Sequence, residues 1–140
     1  MSRMDKLSWD SRAAPCLADV ELIADAAYRR LPNDFRALCS DLVIRVEDFP
    51  TDEVLCAMQI DSPFDLLGLY SGVDLSHKSV LDIGGLPDMV FLYRRPILDY
   101  WAEHDETLGA IVTHVLVHEI GHHFGLSDAD MTRIEAEAAT

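Results

Sequence analysis

The sequence predicts an α+β fold. A helical pattern occupies the N-terminal part, short β-rich runs occupy the middle, and three helical patterns fill the last third of the chain. Helices and strands that are segregated in this way are typical of α+β proteins. The chain has 140 residues, of which 49% are hydrophobic and 26% are charged, as in an ordinary globular protein. We therefore expect one domain over residues 17–140 and a partly ordered lead-in over residues 1–16.

The first half of the chain predicts a helix and two strands. Apolar residues recur at helical spacing over Leu17–Leu31, and Pro32 ends the pattern. A run of β-branched residues predicts a strand over Leu42–Glu47. The acidic stretch Asp48–Asp61 has no clear period, so we expect irregular structure there. The apolar run Phe64–Tyr70 precedes a Ser-Gly pair, which indicates a strand followed by a turn.

The centre of the chain predicts a hairpin and then a helix. Ser79–Ile83 and Met89–Tyr93 are β-rich and flank the pair Gly84–Gly85, an arrangement typical of a hairpin. Pro96 suits the first turn of a helix, where its missing N–H does no harm, and this helix is expected to end near Glu103.

The last third predicts a long central helix and a short C-terminal helix. The long helix is expected to run from a cap at Asp105 to His123 or Phe124, and Gly125 suits a left-handed stop. Its residues are apolar almost all round over Leu108–Val117, which is typical of a buried helix. A capping-box pattern over 127–130 predicts the short helix that follows.

The charge balance limits the partners that the protein can have. Acidic residues number 25 and basic residues 11, which gives a net charge of −14. Such a surface argues against nucleic acids and anionic membranes and suits metal ions or cationic peptides. The N-terminal stretch has no apolar segment of a signal peptide. Cys16, Cys39 and Cys56 are too few for a disulfide framework, so we expect reduced, mostly buried thiols in a cytoplasmic protein.

One motif carries the chemistry. His118, Glu119 and His122 form the pattern H-E-x-x-H. Residues four apart share one face of a helix, so both imidazoles can bind one metal ion, whereas Glu119 points aside and reaches a metal-bound water. Gly125 turns the chain back, and Asp128 follows His122 by six residues. Its carboxylate can complete the three protein ligands that a catalytic zinc requires, which leaves one position for water.

The sequence resembles the zincin metallopeptidases, and most closely the small bacterial group of minimal zincins. The motif over His118–Asp128 carries most of the resemblance, which Leu66–Tyr70 and Phe91–Pro96 support. The resemblance extends from about residue 18 to about residue 134. It implies a short mixed sheet packed on a buried active-site helix.

The resemblance also implies a zinc-dependent peptide hydrolase, specifically a metalloendopeptidase. Zinc and its water would be held by His118, His122 and Asp128, and Glu119 would be the general base. Larger relatives, the metzincins, have histidine where Asp128 stands and a separate methionine turn further along the chain. Met131 lies too close to Asp128 to take the part of that methionine. The alternative is a zinc-stabilised binding or regulatory module with little or no proteolytic activity, although the intact Glu119 favours an enzyme. A zinc hydrolase that acts on another amide also stays open.

Several neighbours of the motif have two interpretations each. His114 continues the row of predicted ligands. It is expected either at the cleft edge or under the sheet, or else in contact with a ligand or the substrate oxyanion. His123 is expected to be partly buried and hydrogen-bonded, or else to support a ligand. Tyr93 and Arg94–Arg95 either stabilise the oxyanion or, for the arginines, pair with nearby acids. A substrate peptide is expected to add as a strand at a sheet edge, along Met89–Tyr93.

Overall fold

A small mixed sheet and six α-helices make up the part of the chain that the computed structural model describes, which is residues 8–39, 41–72 and 88–139. The α+β class is therefore confirmed. The strands are β1 (Val43–Glu47), β2 (Gly68–Ser71) and β3 (Met89–Tyr93). The helices are α1 (Leu17–Arg29), α2 (Asn33–Arg36), α3 (Asp52–Met58), α4 (Arg94–Glu103), α5 (Leu108–His123) and α6 (Asp128–Ala138).

The sheet has β3 at its centre. Its order is β1-β3-β2; β1 runs parallel to β3, with Val43 opposite Met89, and β2 runs antiparallel to β3, with Gly68 opposite Leu92. Because β3 is hydrogen-bonded on both sides, a peptide cannot pair along Met89–Tyr93, and this part of the substrate prediction is wrong. The predicted hairpin partner Ser79–Ile83 and its turn lie outside the described residues.

Helix α5 is the buried centre of the molecule, as the sequence predicts. It packs against α1, β2, β3, α4 and α6. Four of its side chains, Val112, Leu116, Val117 and Ile120, have no exposed surface. The helix begins after Thr107, whose Oγ1 accepts a hydrogen bond from the backbone N–H of Ala110. The predicted cap at Asp105 is therefore wrong, and a hydroxyl two residues later takes that role.

Helix α1 covers one side of α5. Its inner face consists of Val20, Ala24 and Ala27, none of which has exposed surface. Two of these three residues are alanines, and such small side chains allow two helices to approach closely. The predicted helix over Leu17–Leu31 is confirmed, and it ends at Arg29.

Three elements differ from the sequence-based expectation. Helix α3 occupies part of the stretch predicted to be irregular, and Thr51 caps it by accepting a hydrogen bond from the Val54 N–H. None of its residues is buried, so no apolar period marks it in the sequence. The predicted strand Phe64–Tyr70 begins only at Gly68, because a 3₁₀ turn occupies Pro63–Asp65. The short helix α2 was not predicted.

The cysteines and the lengths of the helices bear on two further points. Cys39 is buried, whereas Cys16 and Cys56 are exposed, so the expectation of mostly buried thiols is wrong. Within the described ranges, no helix combines the length and apolar character that crossing a membrane requires.

Helix α6 is held against the end of α5 by a close approach at Gly121. A Cβ atom at this position would lie 2.5 Å from Sδ of Met131, which has no exposed surface. Ser127 starts α6 with the predicted capping box: its Oγ accepts from the Asp130 N–H, and the Asp130 carboxylate accepts from the Ser127 N–H. Between the two helices, Gly125 adopts the predicted left-handed conformation, with φ of 73°.

Strand β2 reaches α5 through Gly68. A Cβ atom at Gly68 would lie 2.5 Å from Cγ1 of Val115 and 3.1 Å from the carbonyl oxygen of Phe91. Glycine therefore brings the strand against the helix, next to Glu119, whose Cγ would be 3.5 Å from that atom.

We predict that Gly68→Ala lowers the free energy of unfolding by about 1–3 kcal/mol, because the added methyl group overlaps a short, buried side chain. Urea denaturation of metal-free protein, followed by circular dichroism, measures the change. Gly109→Ala is the matched control, since nothing lies within 4 Å of a Cβ there. A Gly68→Ala protein as stable as the parent would contradict the close contact.

Candidate metal centre and cleft

Three histidines and one glutamate lie on α5 among buried apolar residues of the same helix. His114, His118 and His122 form the predicted row: the ring centroids of the first two are 3.9 Å apart, and those of the last two are 5.6 Å apart. The side chain of His118 is 27% exposed, whereas His122 is exposed. The helical face that carries H-E-x-x-H thus changes from half-buried to open over one turn.

A cleft of about 330 Å³ lies beside this row. Its walls combine apolar side chains with an acidic rim, and His114, His118 and Glu119 all contribute to it. The apolar lining residues include Leu66, Leu67, Ile111 and Val115, and the polar ones include Asp65, Tyr100 and Glu106. The arrangement suits a ligand with an apolar part and a positively charged part.

Glu119 lies at the boundary between this cleft and strand β2. Burial raises the pKa of its carboxyl group, and two weaker effects oppose the rise: a hydrogen bond from the backbone of Tyr70 and the nearby His122. A carboxylate whose pKa is raised by burial accepts a proton more readily near neutral pH. The position therefore suits a general base, which is the role predicted for this residue.

Burial also acts on His118. It lowers the pKa of the imidazole, and the neighbouring His114 lowers it further, while Glu135 and, more weakly, Asp128 oppose the change. A lowered pKa keeps the imidazole neutral at neutral pH, and the neutral form is the one that binds a metal.

Asp128 is the first residue of α6 and is exposed. The turn at Gly125 brings the start of α6 back toward the end of α5, so that the carboxylate influences His118. The donor atoms of His118, His122 and Asp128 are nevertheless not drawn together as tightly as those of the set described next. Their assignment as zinc ligands stays a prediction.

The closest set of metal-binding side chains includes a residue that sequence reasoning missed. Oε1 of Glu135 lies 2.8 Å from Nδ1 of His114 and 3.1 Å from Nε2 of His118. Within the described parts of the chain, only these three side chains bring donor atoms within 4.8 Å of one another. Glu135 lies beyond the motif, and its one sequence signal is that it stands two helical turns after Asp128 on α6.

The structure places the two neighbouring histidines, His114 and His123, differently. His114 lies at the cleft edge and also against the predicted ligand His118. His123 is exposed rather than partly buried, and its ring stacks on that of Tyr70, with the ring centroids 3.9 Å apart. The Tyr70 hydroxyl donates to Asp88, at 2.8 Å.

The two arginines contact residues outside the row of histidines, whereas Tyr93 is buried close enough to Glu119 for the charge of that carboxylate to act on it. Arg94 pairs with Asp48 at 2.6 Å, as the ion-pair interpretation predicts, and Arg95 lies over the ring of Phe49. Tyr93 is 2% exposed. Burial, with the negative charges of two nearby glutamates, raises the pKa of Tyr93 to about 12, so its hydroxyl keeps its proton at neutral pH.

Comparison with known proteins places the chain in a family. A family model described as a zincin-like metallopeptidase matches residues 39–138, which is most of the chain and includes every residue of the predicted site. A search of curated proteins found no match.

Proposed function

Because the chain belongs to the family of zincin-like metallopeptidases, we propose that it is a zinc-dependent endopeptidase. His118, His122 and Asp128 hold the zinc, and Glu119 is the general base. The observation that carries this proposal is the environment of Glu119: a half-buried carboxylate with a raised pKa beside a predicted ligand, at the wall of a cleft. A purely structural zinc site has no use for such a group, so its presence favours catalysis over a zinc-stabilised binding module.

The donor set fits zinc. Two imidazoles one helical turn apart and one carboxylate are the ligand types of catalytic zinc sites, and three ligands leave a coordination position open. When bound, zinc supplies a Lewis acid that polarises the scissile carbonyl and lowers the pKa of a coordinated water to about 7.

Glu119 performs the proton transfers. Its carboxylate takes a proton from the attacking water, whose oxygen forms the new bond to the carbonyl carbon. The carboxyl group then returns this proton to the amide nitrogen as the C–N bond breaks. The hydrogen bond from the backbone of Tyr70 fixes the orientation of the carboxylate during both steps.

Strand β2 is the proposed peptide-binding edge. Among the described residues β2 pairs only with β3, so its other edge offers backbone N–H and C=O groups to an extended peptide. Gly68 brings this strand against Val115 and close to Glu119, and a peptide bound there would pass over the predicted zinc ligands. The proposed peptide-binding edge is thus β2 and not the central strand β3, along which the sequence-based prediction placed the peptide.

The proposed substrate carries positive charge. Asp65 and Glu106 lie at the rim of the cleft, and the net charge of −14 suits a cationic peptide better than a nucleic acid or an anionic membrane. We place the peptidase in the cytoplasm, where its three free cysteines stay reduced.

We expect one zinc ion per chain, and we expect Asp128→Ala to weaken zinc binding by about tenfold or more, because a ligand is lost. Calorimetric titration of chelator-treated protein measures both quantities. Glu137→Gln, on the same helix, is the matched control and keeps the parental affinity. An unchanged affinity in Asp128→Ala would remove this residue from the ligand set, and a folded parent that binds no zinc would refute the proposed function.

Glu119→Gln is expected to keep the fold and the zinc but to lower peptide hydrolysis by about 10²-fold or more, since an amide cannot accept the proton. Cleavage of a broad library of fluorogenic peptides measures the loss. Glu103→Gln, an exposed glutamate at the end of α4, is the control that retains activity. If the zinc-loaded parent cleaves no peptide, the binding-module alternative is the better account.

Peptides with lysine or arginine beside the cleaved bond are expected to be better substrates than matched acidic peptides. The preference fades as salt rises, because exposed charges are screened over about 8–10 Å at ordinary ionic strength. The double variant Asp65→Asn/Glu106→Gln reduces it, whereas Glu21→Gln on α1 leaves it unchanged. Equal cleavage of both peptides at low salt would show that the negative charge serves solubility alone.

A further inference from the structure

Beside the predicted zinc ligands, a second set of donors converges on one point. Oε1 of Glu135 is 2.8 Å from Nδ1 of His114 and 3.1 Å from Nε2 of His118. Ligands of a tetrahedral zinc, with bonds of about 2.0–2.1 Å, stand roughly 3.3 Å apart. These two separations are therefore close to those of a coordination shell.

The oxygen at the centre of this set has no conventional partner. Oε1 of Glu135 is buried and forms no hydrogen bond, although two imidazole nitrogens lie nearby. The contacts are short, but they lack the alignment of hydrogen bonds. A buried carboxylate oxygen in this state is costly, and a cation between the three donors would satisfy it.

Packing between α5 and α6 fixes the arrangement. Met131 and Ile134 of α6 are buried, and Gly121 allows the close approach of the two helices. Asp128 and Glu135 are two helical turns apart and lie on the same side of α6. Both acids act on His118, Glu135 more strongly than Asp128, and Glu135 also contacts His114.

We propose that His114, His118 and Glu135 form a second zinc site, alternative to the catalytic set. His118 belongs to both sets, so a chain holds zinc in one site or the other. Zinc bound with Glu135 leaves His122 and Asp128 without their third ligand, and this is a resting form of the enzyme. The inference rests on the proposed function in one respect: the proposed catalytic site binds the same metal and also uses His118.

The test removes the catalytic set and keeps the second one. His122→Ala/Asp128→Ala deletes two exposed side chains, so the fold is expected to persist, which circular dichroism verifies. Calorimetric titration with zinc chloride is expected to show one zinc per chain in this double variant. Adding Glu135→Gln, or separately His114→Gln, weakens that binding by about tenfold or more. Adding Glu137→Gln instead leaves zinc binding unchanged, because residue 137 lies on the opposite side of α6 from Glu135.

A second measurement reports on the ligands directly. In the double variant, zinc is expected to shift the imidazole nitrogen resonances of both His114 and His118 in NMR spectra. If alanine at these positions prevents folding, His122→Gln/Asp128→Asn replaces it in both measurements.

Two outcomes overturn the inference: a folded double variant that binds no zinc while the parent does, or zinc binding that Glu135→Gln does not weaken. Both leave the proposed function intact. Loss of zinc binding by the unaltered chain, in contrast, refutes the proposed function itself.

Discussion

The burial of α5 is the constraint on which the site depends. Side chains without exposed surface surround most of this helix, so it cannot rotate without disrupting contacts with α1, the sheet and the remaining helices. The directions in which His118 and Glu119 leave the helix are consequently fixed by core packing. A small protein can therefore hold a base and a metal ligand in register without disulfides or long loops.

The same burial prepares both groups electrostatically. Removal from water favours the neutral form of any ionisable group, and this raises the pKa of Glu119 and lowers that of His118. The first change suits a base that must take and return a proton, and the second suits a ligand that must offer a lone pair. One physical effect thus suits both of the roles proposed for these adjacent residues.

The elements that the sequence predicts are those that bury an apolar face. Helix α1, strands β1 and β3, and helices α5 and α6 all carry such a face, whereas α3 buries no side chain and leaves no period to detect. The motif residues could be placed on one helix because their spacing is local. Glu135 could not be predicted, since it meets His114 and His118 only through the packing of α6, which a methionine beside Gly121 determines. The stacking of His123 on Tyr70 likewise depends on where β2 lies.

The inner face of α1 has a consequence for the boundaries of the folding unit. The family match begins at residue 39, yet Val20, Ala24 and Ala27 cover one side of α5 and are fully buried. A shortened chain that begins at the match would leave this side of α5 facing water, and an apolar strip of that kind promotes aggregation. Arg94 adds a further tie, since its guanidinium donates to the carbonyl oxygen of Pro15. The smallest piece that can fold alone is thus larger than the piece that family comparison delimits.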